Sequence, residues 1–190
     1  LLPKALLRIR GAERIPGEPD DAEELKAMID APIGDRSDWQ PQWPSLEAYF
    51  VKIGIAKLLR EGEHATVVSY GRTLPLCVEA ADQLERDHGW SCDVLDLRSI
   101  LPYDWVAIRR SLMKTGRILF VNEDTEITNF GEHLLRRVVE EHFYDVLVRP
   151  RVLQGKHVPG IGLNQVYEQN TVPQLPQIKD AIMELITDQP

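Results

Sequence analysis

Thr66-Val67-Val68-Ser69-Tyr70-Gly71-Arg72-Thr73 changes its period halfway along. Its first five residues are β-branched, small or aromatic, the composition of a strand. Gly71 punctuates the run, and from Thr73 to Arg86 the residues Leu76, Ala80, Ala81 and Leu84 fall on one helical stripe. A strand that turns at once into a helix is the first half of a strand–helix–strand unit, and Cys92 to Leu97 supplies the returning strand. The alternation then continues. Tyr103 to Lys114 reads as a helix, with Pro102 just ahead of it where a missing N–H costs nothing. Arg117 to Val121 is the most apolar strand, and Asn129 to Glu141 the helix that follows. Val146 to Leu153 reads as a last strand interrupted by Pro150, and Pro173 to Ile186 as a closing amphipathic helix.

Units of this kind predict an α/β fold of three layers, α/β/α, around a mostly parallel sheet of about five strands. Upstream, Tyr49 to Ala56 is apolar enough for a strand, and its Lys52 and Gly54 suit a sheet edge. Only about ten residues, Lys57 to Ala65, join it to the next strand. That is too short for a helical crossover, so one antiparallel edge strand is expected.

The segment before this alternation has another texture. Between Gly11 and Gln40 nine acids face three bases, a net of −6 within a chain whose total is −8. Proline and glycine interrupt it repeatedly, and only Asp21 to Ile29 can form a short helix, with Leu25, Met28 and Ile29 on one face. Residues 12–47 therefore read as an acidic, proline-rich linker and 48–190 as the domain proper. Trp39 and Trp43 are expected to cover the domain's own core edge.

Composition bounds the function. The chain has 190 residues, 43% of them hydrophobic, enough for a core that needs no disulfide staples. With 30 acids against 22 bases it lacks the basic excess of a nucleic-acid-binding surface. No apolar run exceeds four residues, so no membrane-spanning helix is expected. Cys77 and Cys92 have no close Cys or His partner at metal-ligand spacing and read as reduced, buried thiols.

Candidate chemistry is sparse. Gly155-Lys156 lacks the upstream glycine and the following Ser or Thr of a phosphate loop, and Gly160-Ile161-Gly162 lacks the third glycine of a dinucleotide fingerprint. Gly71-Arg72-Thr73 joins a strand end to a helix start, where backbone N–H groups favour an anion; the plainer reading makes Gly71 the turn and Thr73 the helix cap. Asn122-Glu123-Asp124-Thr125-Glu126 follows the most apolar strand at its carboxyl end, where open α/β sheets take ligands, and Glu123 is the carboxylate singled out there. It also reads as an acidic loop that solvates a helix start. Of the five histidines, His88 and His142 sit at helix ends, and His133 lies one turn into its helix, on the surface or lining a groove. No catalytic and no metal residue is assigned; Gly71, Arg72, Thr73, Glu123 and His133 stand as anion or interface candidates.

Four strings bear on kinship. Val68-Ser69-Tyr70-Gly71, then Asp96-Leu97-Arg98-Ser99-Ile100-Leu101-Pro102-Tyr103-Asp104, then Lys114-Thr115-Gly116-Arg117, then Phe130-Gly131-Glu132 occur in this order, with Val172-Pro173-Gln174-Leu175 ahead of the last helix. In order and spacing they resemble the carboxyl-terminal domain of the beta subunit, or beta half, of thiamine-diphosphate-dependent 2-oxoacid dehydrogenases, a transketolase-like C-terminal domain. The likeness runs from about Tyr49 to Leu185, and Leu1 to Gly11 resembles the exit from a preceding pyrimidine-binding domain. The resemblance implies oxidative decarboxylation of a 2-oxoacid with acyl transfer to lipoyl groups, carried out only by the complete enzyme. Thiamine diphosphate and its magnesium ion would be held by domains outside this chain, so no cofactor-binding residue is expected here and the chain alone should be inactive. The implied partners are the alpha subunit or alpha half, a second beta subunit, and the subunit-binding domain of a dihydrolipoyl acyltransferase. The implied compartment is cytoplasmic, or the mitochondrial matrix in a eukaryote. Two strings depart from the pattern: Leu147-Val148-Arg149 stands where docking members carry an acid before Ala-Pro, and Asn129-Phe130-Gly131-Glu132-His133 replaces a Gly-x-Gly-Ala-Glu-like helix start. The alternative is another transketolase-like enzyme, of transketolase or deoxyxylulose-phosphate synthase type, in which this domain contributes to a phosphorylated-substrate site.

Overall fold

A computed structural model describes residues 19–30, 50–160 and 164–189. The chain divides into two units, 2–52 and 53–190. In the first, α1 (Ala22–Asp30) forms over the segment expected to be helical, with Glu23 and Glu24 in the first turn where the helix dipole favours negative charge. Asp21 closes that turn by accepting from the Glu23 N–H at 3.1 Å. The other readings of the first 47 residues, including Leu1 to Gly11, Trp39 and Trp43, lie outside the described residues.

The second unit is built from β1 (Lys57–Arg60), β2 (Ala65–Ser69), α2 (Thr73–His88), β3 (Cys92–Asp96), α3 (Trp105–Thr115), β4 (Ile118–Thr125), α4 (Phe130–His142), β5 (Arg151–Gly155), α5 (Gln165–Thr171) and α6 (Leu175–Thr187). The five strands lie in the order β1-β3-β2-β4-β5. The pairs β3–β2, β2–β4 and β4–β5 are parallel, and β1 runs antiparallel along the edge of β3. This is the expected sheet. None of the described helices is long and apolar enough to cross a membrane.

Alternation along the strands divides the core into two layers. Ala65, Val67, Val94, Leu119 and Val121 face α2 and α6, meeting Leu84, Ile178 and Ile182. Val68, Leu95, Ile118 and Phe120 face α3 and α4, meeting Ile108, Leu112 and Leu134. Each fully buried Leu, Ile or Phe among them contributes roughly 1.5–3 kcal/mol by leaving water.

Four elements differ from expectation, each for a local reason. The edge strand is Lys57–Arg60, not Tyr49–Ala56, because side chains of the β3–α3 loop take the backbone donors before it. Ser99 Oγ accepts from the Gly54 N–H at 2.8 Å, and Asp104 Oδ2 from the Ala56 N–H at 3.0 Å. The last strand begins at Arg151, after Pro150, which has no N–H to give to a ladder. Strand β4 runs on to Thr125, so Asn122 to Thr125 belong to the strand and are not a loop; the register with β5 shifts after Val121, and Thr125 pairs with Gly155. Helix α5 was not foreseen at all. It buries no side chain, so it leaves no apolar stripe in the sequence to read.

Candidate functional site

Helix α2 follows β2 onto one face of the sheet and α4 follows β4 onto the other, although β2 and β4 are neighbours. The connections after them diverge there, so the carboxyl ends of β2 and β4 are a topological switch point, the place where open α/β sheets take ligands. Three of the five candidates, Gly71, Arg72 and Thr73, follow the end of β2, and Glu123 lies near the end of β4.

The turn is made by Gly71, whose φ of +63° is the left-handed region that a side chain disfavours. Arg72, not Thr73, occupies the N-cap of α2, and it does so without a side-chain capping bond. Thr73 is the first helical residue and is fully buried. Its hydroxyl shares a 2.8 Å hydrogen bond with Ser69 and lies 3.2 Å from the Tyr70 carbonyl and 3.3 Å from that of Val121. The capping expectation fails because Thr73 already lies inside the helix, one residue past the N-cap, and its hydroxyl is turned toward the strand ends.

Electrostatics concentrate on Arg72. Its Nη1 lies 2.8 Å from Glu168 Oε1 on α5. Glu123 is half-buried, and burial raises its carboxyl above the usual range; Arg72 opposes the shift, while Glu168 and Asp124 add to it. Tyr70 is pushed up to about 12, first by burial and then by Asp124 and Glu123. Its phenol is therefore a hydrogen-bond donor at neutral pH and not a base. One guanidinium thus serves two acids from two different elements. Glu168 was invisible in the sequence because α5 was.

His133 belongs to a second cluster. Its Nε2 is 2.8 Å from the Tyr103 hydroxyl, which also accepts from Arg137 Nη1 at 2.7 Å. The Tyr103 oxygen thus bridges His133 and Arg137. The His133 ring stacks on Phe130 at 5.8 Å, and the Arg137 guanidinium lies 4.1 Å from the Trp105 ring centre. Glu141 closes the cluster, accepting from Arg137 at 2.7 Å and from the Trp105 indole at 2.9 Å. His133 is therefore a half-buried wall residue. Tyr70 links the two clusters by its edge-to-face contact with Phe130 at 6.1 Å. Spacing held the signal: Phe130, His133 and Arg137 lie at i, i+3 and i+7 on one face of α4.

Neither cluster pairs a nucleophile with a base. Among the described residues no group of three or more His, Cys, Asp or Glu is suited to a metal ion. Arg72, the cation at this end of the sheet, is already matched with Glu168. What the arrangement does is join elements across the carboxyl end of the sheet.

Comparison with known proteins agrees with this architecture. The family model described as transketolase, C-terminal domain matches residues 54–178. The beta subunit of 3-methyl-2-oxobutanoate dehydrogenase from Mycobacterium tuberculosis is 38% identical over 94 residues, covering 50% of this chain and 27% of that protein. The mitochondrial pyruvate dehydrogenase E1 component subunit beta of Homo sapiens is 30% identical over 180 residues, covering 86% of this chain and 49% of that protein. Among solved structures, a split-gene transketolase described as an inactive beta4 tetramer superposes with a TM-score of 0.64 at 23% identity, over 74% of this chain and 45% of that one. It supports the fold. The chain spans about half, or less, of the length of these relatives.

Proposed function

Since the chain belongs to the transketolase C-terminal domain family, we propose that it is the assembly domain of the decarboxylating component of a 2-oxoacid dehydrogenase, in the beta subunit or beta half. One observation carries the reading: the chain resembles such a beta subunit along 86% of its own length while spanning 49% of it. Its role there is to hold subunits together. Oxidative decarboxylation, thiamine diphosphate and magnesium belong to the complete enzyme, formed with an alpha subunit or alpha half and a second beta subunit. Residues 48–190 are the domain and 12–47 its linker. Exposed apolar side chains support an assembly role, among them Leu101 at 89% and Tyr144 at 96% exposure. The pairing of Arg72 with Glu168 favours this reading over a phosphorylated-substrate site, which would need that arginine free.

Titration of thiamine diphosphate with magnesium into the isolated chain tests the proposal. No binding heat and no 2-oxoacid turnover are expected from the chain alone, with both appearing once the complete enzyme is assembled. Tight cofactor binding by the isolated chain would sink it. Docking of the acyltransferase subunit-binding domain is a separate matter, checked by a pull-down at low ionic strength, where charge attraction is least screened.

A further inference from the structure

Helix α3 uses its faces unequally. Ile108, Ser111, Leu112 and Thr115 are buried in the domain. Lys114 reaches Asp93 at 2.6 Å, and the Trp105 indole donates to Glu141 of α4. The remaining stripe, Val106, Arg109, Arg110 and Met113, falls at i, i+3, i+4 and i+7 and so forms one continuous face. All four side chains are exposed, Val106 at 76% and Met113 at 52%. Among the described residues, the guanidinium groups of Arg109 and Arg110 have neither a hydrogen bond nor a carboxylate partner. The contrast with α4 is local. There Arg136 and Arg137 each pair with a glutamate four residues on. Four residues on from Arg109 and Arg110 stand Met113 and Lys114, and α3 contains no acid.

From Leu97 to Arg117 five bases face one acid, a net of +4 within a chain whose total is −8. That acid, Asp104, is already occupied with the N–H groups of Ala107 and Ala56. Arg110 and Lys114, like charges one turn apart, cost the helix a little stability. Val106 and Met113 stand about 10 Å apart along the axis, with the two arginines between them. A helix with aliphatic residues seven apart and carboxylates between them matches both features. We infer that this face of α3 docks an acidic amphipathic helix of a partner protein. Arg109 and Arg110 take its carboxylates, which the guanidinium fork fits, and its aliphatic side chains lie on Val106 and Met113. The chain's net −8 repels an extended polyanion such as nucleic acid or an anionic membrane, whereas one short helix meets only the local positive tract. The surface belongs to α3 alone, so cofactor binding by the isolated chain, which would sink the assembly role, leaves it standing.

The test titrates a synthetic helical peptide into the intact, isotope-labelled chain and follows its amide resonances. The peptide carries leucines at i and i+7 and glutamates at i+3 and i+4; a control peptide carries glutamines in place of the glutamates. Saturable shifts centred on residues 106–113 are expected with the acidic peptide. The glutamine control should bind about three- to tenfold more weakly, the range of two partly exposed ion pairs. Arg109→Glu combined with Arg110→Glu should weaken the acidic peptide by at least as much while leaving the melting temperature unchanged, because both side chains are exposed. The glutamine control reads the same charge pairing on wild-type protein. No saturable binding, equal affinity for the two peptides, unchanged binding by the double variant, or tighter binding of a poly(U) strand or of phosphatidylserine vesicles than of the acidic peptide would each overturn the inference.

Discussion

Lys114 Nζ lies 2.6 Å from Asp93 Oδ1, and the Asp93 side chain is only 2% exposed. The carboxylate also accepts from Ser111 Oγ at 2.5 Å and from the Gly62 N–H at 2.9 Å, so a buried charge is fully matched at the amino end of the sheet. Thr66 and Thr115 extend the network across α3. Breaking a buried pair from one side leaves unmatched polar groups, at about 3–5 kcal/mol. Asp93→Ala is expected to lose stability at the lower end of that range, since Lys114 can reach water. Urea denaturation reads it as a lower midpoint at unchanged slope.

Gly62 sits against the neighbouring backbone so closely that a Cβ would fall 2.2 Å from the Cys92 nitrogen. No side chain can move aside to relieve a clash with main chain. Gly62→Ala should therefore separate the loop after β1 from β3 and cost more than 2 kcal/mol, on the order of other overpacked sites. Thermal unfolding of the variant measures it; a melting temperature equal to wild type would show that the loop does not pack there.

Glu123 gives a pH signature. Burial first, with Glu168 and Asp124 adding, holds its carboxyl above the usual range in the folded chain. A raised acid stabilises the fold fully below its unfolded value, and that contribution is lost as pH rises through the folded value. Glu123→Gln removes the ionisation. The variant should be more stable than wild type at pH 7, with the difference fading towards pH 4; denaturation midpoints across that interval give the answer.

Both cysteine thiols are pushed up to about 12, chiefly by burial. Thiolate, not thiol, is the nucleophile, so neither should react in the native protein. A chromogenic disulfide reagent is expected to find no thiol until denaturant is added and two afterwards. Rapid reaction of one thiol in native buffer would contradict the packing around Cys77 and Cys92.

The parts of the fold legible in the sequence are those with a periodic apolar pattern. Val67 and Val68 belong to opposite layers, yet their β-branched run announced β2 because both faces are covered. Helix α4 was legible for the same reason, since Leu134 and Val138 must be buried. Strand β1 was misplaced because its defining event is non-local: Ser99 and Asp104 claim the donors of Gly54 and Ala56 from more than forty positions away. The site followed the same rule. Gly71, Arg72 and Glu123 could be placed at strand ends, but their counterpart Glu168 sits on a helix without an apolar face. Thr73 was misread because a threonine before an apolar stripe looks like a cap, whether its hydroxyl turns out to the helix or in to the sheet.

The division of helices between the two faces has a consequence for synthesis. Helices α3 and α4 are made one after the other and cover their side of the sheet as soon as β4 is in place. The opposite side needs α2, made early, and α6, the last of these elements to leave the ribosome. Until Ile178, Ile182 and Leu185 emerge, Leu84 and the valines of β2 and β3 on that side lack half of their cover. A nascent chain stalled before α6 would thus present a half-finished apolar layer, the kind of surface that chaperones hold and that aggregates when they do not.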